Sequence, residues 1–361
     1  MKTDANVEIF GLHNHISSLS SEEKIHFLDE CLTNKANVVS ITDHRTLSSY
    51  YKLFMSLSEE QIQKYRNIRF VIGMELTGVF PFIDCQNNKR NIVMDILCYN
   101  IDIEKYYKLW HFIESHYTDY MNTREFQVSE LQRLIKIAKQ QGFKADYDKL
   151  TINDENPFAA NTLSYALIDS KYVDYNLSMG LLPEFVTNPR TFFNRYCKAD
   201  TPFYLDLSPF FPPIQEVINA IIECGALPFL DHPAAYFPKS QDKIDNRIAW
   251  LNSRKFVIDF FQNTKGVKGL EIIHPSFLRE KDYYQFLENY SRVFHLYVSG
   301  GTDYHKNGER ITTDLFGHNI TSERLYNFEE WAKIYTIEEL KNIVEMINTV
   351  EGLDKKKKNS K

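Results

Sequence analysis

Short apolar runs that stop at a histidine or a carboxylate recur along this chain, and that habit limits its possible folds more than its length does. Val7–Leu12 leads into His13, Ala36–Thr42 into Asp43-His44, and Ile68–Met74 into Glu75. Asn91–Tyr99 is a further run and carries Asp95 within it. Later, Ala226–Leu230 stops at Asp231-His232, Val267–Ile273 at His274, and Phe294–Ser299 just short of Asp303 and His305. Runs so short and so rich in branched residues read as strands, while Glu22–Thr33, between the first two, has the spacing of a helix. Alternating strand and helix predicts an α/β fold with parallel strands. In such folds the chemistry gathers beyond the carboxyl ends of the strands.

The middle of the chain breaks this rhythm. From about Glu104 to Ala220 the apolar spacing is helical. Glu130–Gln141 is an amphipathic stretch stopped by Gly142, Phe158–Ile168 and Pro189–Cys197 look similar, and SPFFPP (208–213) breaks the chain before a helix over Ile214–Cys224. The expected organisation is a discontinuous α/β domain, 1–103 with 221–345, interrupted by a helical insertion, 104–220. Residues 346–361, ending in DKKKKNSK, read as a basic, solvated tail.

Composition narrows the function. The chain of 361 residues is 43% hydrophobic and 25% charged, as globular proteins are. Its net charge of −6 argues against stable duplex DNA binding, which runs on phosphate neutralisation. A small phosphorylated substrate or a short oligonucleotide fits that charge better. The five cysteines are scattered and contain no CxxC pair, which suggests neither disulfides nor a cysteine zinc site and points to the cytoplasm. No apolar run nears the roughly 18–20 residues of a membrane span, and the N-terminal segment lacks the core of a signal peptide.

The chemistry lies at the strand ends. His13-Asn14-His15 places two imidazoles on one side of an extended segment, because side chains alternate there. Six of the eleven histidines fall at these junctions. Each alone reads as a capping or core histidine; six together point to a metal centre. Neutral imidazole mixed with carboxylates suits Mn, Fe or Zn, and a shared carboxylate suits more than one ion. Neither a GxSxG elbow nor a P-loop is present.

At GLHNH (11–15), ITDHRT (41–46), GMELTG (73–78), FLDHP (229–233), GLEIIHPSF (269–277) and SGGTDYH (299–305), the sequence resembles the PHP superfamily, the polymerase and histidinol phosphatase domain. With FFNRYC (192–197) in the insertion, it resembles the branch of stand-alone metal-dependent phosphoesterases. The resemblance implies a distorted (β/α)7 barrel and two or three divalent metals. It implies a first metal on His13, His15, Glu75 and Asp303. Glu75 would bridge to a second metal on His232 and Asp95, with His44 and His305 on a third. Glu75, His44 and His305 would then be catalytic, and Arg124 and His274 would bind substrate. The chain departs from the family in three ways. Ser20 stands near the usual third-metal Asp, Asp95 replaces a His, and HPAAYF (232–237) lacks the arginine that often follows the HP pair. Arg124 is the insertion arginine that matches, and a solvated helix arginine is its plain alternative. The competing readings are a degenerate relative that binds ligand or partner without turnover, and a metal-dependent hydrolase of a non-phosphate bond.

Overall fold

The computed structural model describes residues 8–154, 156–187, 192, 201–237, 243–275, 281–306, 309, 311 and 320–353. The chain forms two compact units, one from residues up to His116 together with those from Phe211 onward, the other Tyr117–Phe210.

The first unit is mixed α/β and holds two sheets. In one, β1 (Phe10–Gly11), β2 (Val38–Val39) and β3 (Arg69–Val71) run parallel, and β9 (Ile334–Tyr335) closes the far edge antiparallel to β3. The other has the order β4 (Gly73–Ile83), β5 (Lys89–Tyr99), β6 (Leu227–Leu230), β7 (Gly269–Ile273), β8 (Tyr297–Gly300). Here the expectation of parallel strands needs correcting. Only β6, β7 and β8 are parallel; β4 and β5 form a long hairpin, and β5 meets β6 antiparallel.

The hairpin also corrects the place of Glu75. The apolar run expected to end at Met74 breaks after Val71, and a new strand starts at Gly73, so Glu75 lies inside β4 rather than past a strand end. Along β4 the alternation sets Met74, Leu76, Phe80 and Phe82 in the core on one face and Glu75 and Thr77 on the other. Asp95 is cross-strand partner to Thr77, so it shares that face with Glu75. The turn is built by Asp84, whose buried carboxylate accepts from the backbone N–H groups of Gln86 (2.9 Å) and Asn88 (2.8 Å), with Asn87 at φ +67°.

Helices follow the sequence more closely. Ser21–Thr33 starts at a full capping box, Ser20 with Glu23. The C-terminal helix Ile337–Glu351 opens on Thr336 with Glu339 and stops at Gly352 in the left-handed region, φ +63°. Residues 346–351, expected in the tail, are therefore helical, because Val344, Ile347 and Glu351 continue the buried face; residues 354–361 lie outside the described residues.

In Tyr117–Phe210 the described elements are all helical, the α-helices being Arg124–Gln140, Ala159–Leu167, Val173–Ser178 and Glu184–Thr187. Leu131, Leu134 and Ala138 make a buried stripe at helical spacing on the first of these and pack with Phe143, Leu163, Leu167 and Phe203. Asn176 staples this core, donating to the carbonyls of Lys144 (2.8 Å) and Leu167 (2.7 Å). The helix expected over Pro189–Cys197 lies, apart from Phe192, outside the described residues. No helix among the described residues is long and apolar enough to cross a membrane.

Candidate metal centre

The segment after β1 carries the first two histidines. Asn14 turns away from them and donates its amide to the carbonyls of Gly11 (2.6 Å) and Ser40 (2.7 Å). That anchor leaves His13 and His15 on the opposite side, Nε2 to Nε2 at 3.0 Å. Asp43 then fixes the next loop, accepting from the N–H groups of Ile16 (2.7 Å) and Ser17 (2.9 Å). The segment after β8 comes in beside His13 because residue 301 is glycine; a Cβ there would lie 2.5 Å from the His13 nitrogen. Asp303, at φ +54°, is delivered by that segment.

Two carboxylates lie against this pair of imidazoles. Glu75 Oε2 lies 2.9 Å from His15 Nε2 and 3.4 Å from His13 Nε2. Asp303 Oδ1 lies 3.3 Å and 3.5 Å from the same two nitrogens. Ligand bonds of about 2.1 Å give donor separations of roughly 3.0–3.4 Å around one tetrahedral or octahedral ion. The spacing and the nitrogen-and-carboxylate mixture therefore fit a divalent transition metal.

Around this quartet the structure gathers six histidines and five carboxylates into overlapping candidate ligand groups. His44 lies with Nδ1 3.4 Å from Glu75 Oε2 and its ring 4.5 Å from that of His15; the His305 ring is 4.6 Å from His15 on the other side. These two are the solvent-facing members, their side chains about half exposed, at 49% and 51%. His232 Nε2 is 3.7 Å from Glu75 Oε1 and 3.1 Å from Asp231 Oδ2. Asp95 groups with His44 and Glu75, and it accepts a 2.7 Å hydrogen bond from Thr77 Oγ1. His274 Nε2 stands 3.5 Å from Asp303 Oδ2. Ser20 is spent on capping its helix, its side chain accepting from the Glu23 N–H at 3.2 Å. Arg124 is exposed on the first turn of its helix, within the unit Tyr117–Phe210.

Two carboxylates left without a role by the sequence, Asp231 and Glu271, belong to the cluster. Glu271 Oε1 meets His13 Nδ1 at 3.1 Å, and its Oε2 accepts from the His232 N–H at 3.1 Å. Asp231 Oδ1 lies 3.4 Å from the same Nδ1. A carboxylate on the far nitrogen of a ligating imidazole holds its tautomer and aims its other nitrogen. The available signal was a glutamate inside the wholly buried strand GLEII, where only a partner justifies a charge. Tyr236 is a further neighbour, its hydroxyl accepting from the Asp95 N–H at 2.8 Å.

The imidazoles and carboxylates hold one another's charges. Burial alone would lower His13 and His15, but the acids overcome it. Asp231 and Glu271 lift His13 well above the usual imidazole range, and Asp303 and Glu75 lift His15 to about 9. Burial would raise Glu75, yet His13, His15 and His232 drive it well below the carboxylate range, and His15 and His274 do the same for Asp303 against its own burial. The remaining acids are in excess. Burial and the charge of Glu75 push Asp95 to about 7, and burial, with Glu271 and Glu75 nearby, outweighs His13 and raises Asp231. Upward shifts of buried carboxylates reflect the cost of crowding acids in a buried site, a cost that a positive charge offsets.

The fold is one that solved structures share. An amidohydrolase from Chromobacterium violaceum, solved with bound sulfate and no metal, superposes with a TM-score of 0.52 at 18% identity, over 88% of this chain and 91% of that one. A Bifidobacterium adolescentis protein provisionally named a metal-dependent phosphoesterase gives 0.52 at 17% identity, over 90% and 97%. No protein-family model matches the sequence, and no curated protein matches it.

Proposed function

We propose that this chain is a metal-dependent phosphoesterase of the PHP type, its first unit a distorted (β/α)7 barrel, acting on a phosphomonoester, a nucleotide or a short oligonucleotide. The observation that carries the proposal is that Glu75 and Asp303 each bring a carboxylate oxygen within 3.5 Å of both His13 and His15 Nε2, separations that ligands of one ion have. A structural neighbour provisionally named a metal-dependent phosphoesterase supports the reaction class.

In this reading His13, His15, Glu75 and Asp303 would hold one ion, and His232, Asp231 and Asp95 would hold a second together with Glu75. His44 and His305 would serve a third. When bound, such cations supply Lewis acidity toward a water molecule and toward the oxygens of a phosphoryl group. The chain's own residues do the rest. Glu271 holds the Nδ1 proton of His13, so that Nε2 presents its lone pair inward. Burial keeps His274 below the usual imidazole range, so it enters the reaction neutral, within reach of a substrate oxygen beside Asp303. The half-exposed His44 and His305 face the side from which substrate arrives.

The test is metal analysis of the purified protein, with a chromogenic phosphomonoester and phosphodiester screen in Mn²⁺, with and without EDTA. Near-stoichiometric Mn, Fe or Zn and turnover abolished by EDTA are expected. Full activity in chelator would end the proposal. A second reading, hydrolysis of a non-phosphate bond, draws on the neighbour named an amidohydrolase, and turnover of amides but not phosphoesters would favour it.

A further inference from the structure

His44 is one of the two half-exposed histidines of the cluster. Its side chain is 49% exposed, so packing does little to hold it, and the next residue, Arg45, sits in the left-handed region at φ +60°. On its inner side the backbone is pinned to β4: the Arg45 N–H donates to the Glu75 carbonyl at 3.0 Å, and the Glu75 N–H donates to the Asp43 carbonyl at 3.2 Å. On its outer side the chain passes directly into the helix Ser48–Ser56, whose N-cap residue, Leu47, has no side chain able to cap it.

A carboxylate from the far end of the sequence fills that role. Glu351, the last residue of the helix Ile337–Glu351, is only 4% exposed. Its Oε1 accepts from the Leu47 N–H at 2.8 Å and from the Tyr106 hydroxyl at 2.7 Å, and its Oε2 accepts from Thr46 Oγ1 at 2.7 Å. Thr46 Oγ1 in turn receives the Ser48 N–H at 3.0 Å. An acid at a helix N-terminus satisfies orphan donors and faces the positive end of the dipole. We propose that Glu351 is a positioning residue for the metal centre, clamping the loop Thr46–Leu47 so that His44 is held against Glu75 and His15. This rests on the reading of His44 as a metal ligand.

The experiment is Co²⁺ titration of the full chain, followed by visible absorption, for wild type, His44→Ala, Glu351→Ala and the double variant. His44→Ala removes one class of bound Co²⁺. Glu351→Ala weakens that same class by about tenfold to a hundredfold, the range for supports behind a ligand, while the class held by His13, His15 and Asp303 stays within about twofold. The double variant binds no more weakly than His44→Ala alone, because both act through one side chain. Glu351→Gln restores most of the affinity, since an amide oxygen still accepts from Leu47 and Tyr106. Equal weakening of every class, or additive losses in the double variant, shows a merely structural role and overturns the proposal. Should Glu351→Ala not fold, Thr46→Val removes one of the three bonds; a smaller loss confined to the same class supports the clamp, and no loss overturns it. If His44→Ala leaves Co²⁺ binding intact, the ligand reading itself fails and the clamp with it. A loss in His44→Ala without one in Glu351→Ala removes the clamp alone.

Discussion

The two units spend their interiors in opposite ways. Tyr117–Phe210 buries hydrocarbon: Leu131, Leu134, Leu163, Leu167 and Phe203 meet with at most 4% exposure, and each such side chain stabilises by about 1.5–3 kcal/mol when fully buried. The first unit buries Phe10, Val38 and Leu76 in the same manner, yet at equal depth it also buries His13, Glu75, Asp231 and Glu271. Removing charges from water costs several kcal/mol per ion unless partners offset it. One unit is therefore built to be stable. The other carries an electrostatic load that makes sense once cations share it, and a function is written in the load rather than in the fold that bears it.

The hardest blow to that contrast is Glu75→Gln. The amide keeps the size but loses the charge that three histidines converge on. Turnover on whichever phosphoester the screen finds should fall about a thousandfold or more, the upper end of what losing one transition-state donor costs. Metal content should fall with it. Wild-type turnover at an unchanged metal count would show that no cation depends on this residue.

Leu163→Ala strikes the other side. It should cost about 2–5 kcal/mol of stability by urea titration, the range for a Leu-to-Ala cavity, with Mn²⁺ affinity of the folded protein unchanged. A matching loss of metal affinity would mean that the two interiors are not independent.

The same contrast explains what could be read from the sequence. Helices announce themselves locally, so nearly all of Ser21–Thr33 and the later part of Arg124–Gln140 were legible from spacing, whereas the first turns of the second, from Arg124, were not. The residues that the structure clusters were legible as a list, since His13, His15, His44, Glu75, His232, Asp303 and His305 each sit in a short polar punctuation. Pairing was not legible. Whether GMELTG turns back as a hairpin depends on hydrogen bonds to β5, about twenty residues away, and that choice placed Glu75 within a strand and on one face with Asp95. Glu271 escaped for a related reason: a lone acid in an apolar strand has meaning only once the histidine 258 residues distant is beside it. Glu351, which closes the loop after His44 from 304 residues away, had no local signal at all.

A smaller effect follows from His15, whose metal-free pKa of about 9 means that at neutral pH an ion must displace a proton to bind. The share of Mn²⁺ affinity that His15 contributes should rise by up to about tenfold per pH unit below 9 and flatten above it. For the metal-free protein the linkage runs the other way. His15 rises from 6.5 to about 9 on folding, so its contribution is full below pH 6.5 and is lost as pH climbs through 9. The melting midpoint without metal should therefore fall across that window, and the midpoint with saturating Mn²⁺ should fall less. Affinity independent of pH between 6.5 and 9 would mean that His15 gives up no proton to the ion.

The smallest expected effect comes from Arg124→Ala, and it asks whether the hydrocarbon-filled unit takes any part in the chemistry. Arg124 is exposed on the first helical turn after the Thr123 cap, where a positive charge opposes the positive end of the helix dipole. Its removal should leave stability unchanged or slightly improved, so any catalytic loss is not unfolding in disguise. If the arginine steadies a substrate phosphate across solvent, it is worth no more than an exposed ion pair. KM should then rise about two- to fivefold with kcat unaltered, and the difference should shrink in high salt. An unchanged KM at low salt would leave the arginine as a solvated helix residue and confine substrate contacts to the histidine-bearing unit. A fall in kcat would show that the contact strengthens in the transition state, which would break the contrast between the two interiors from the functional side.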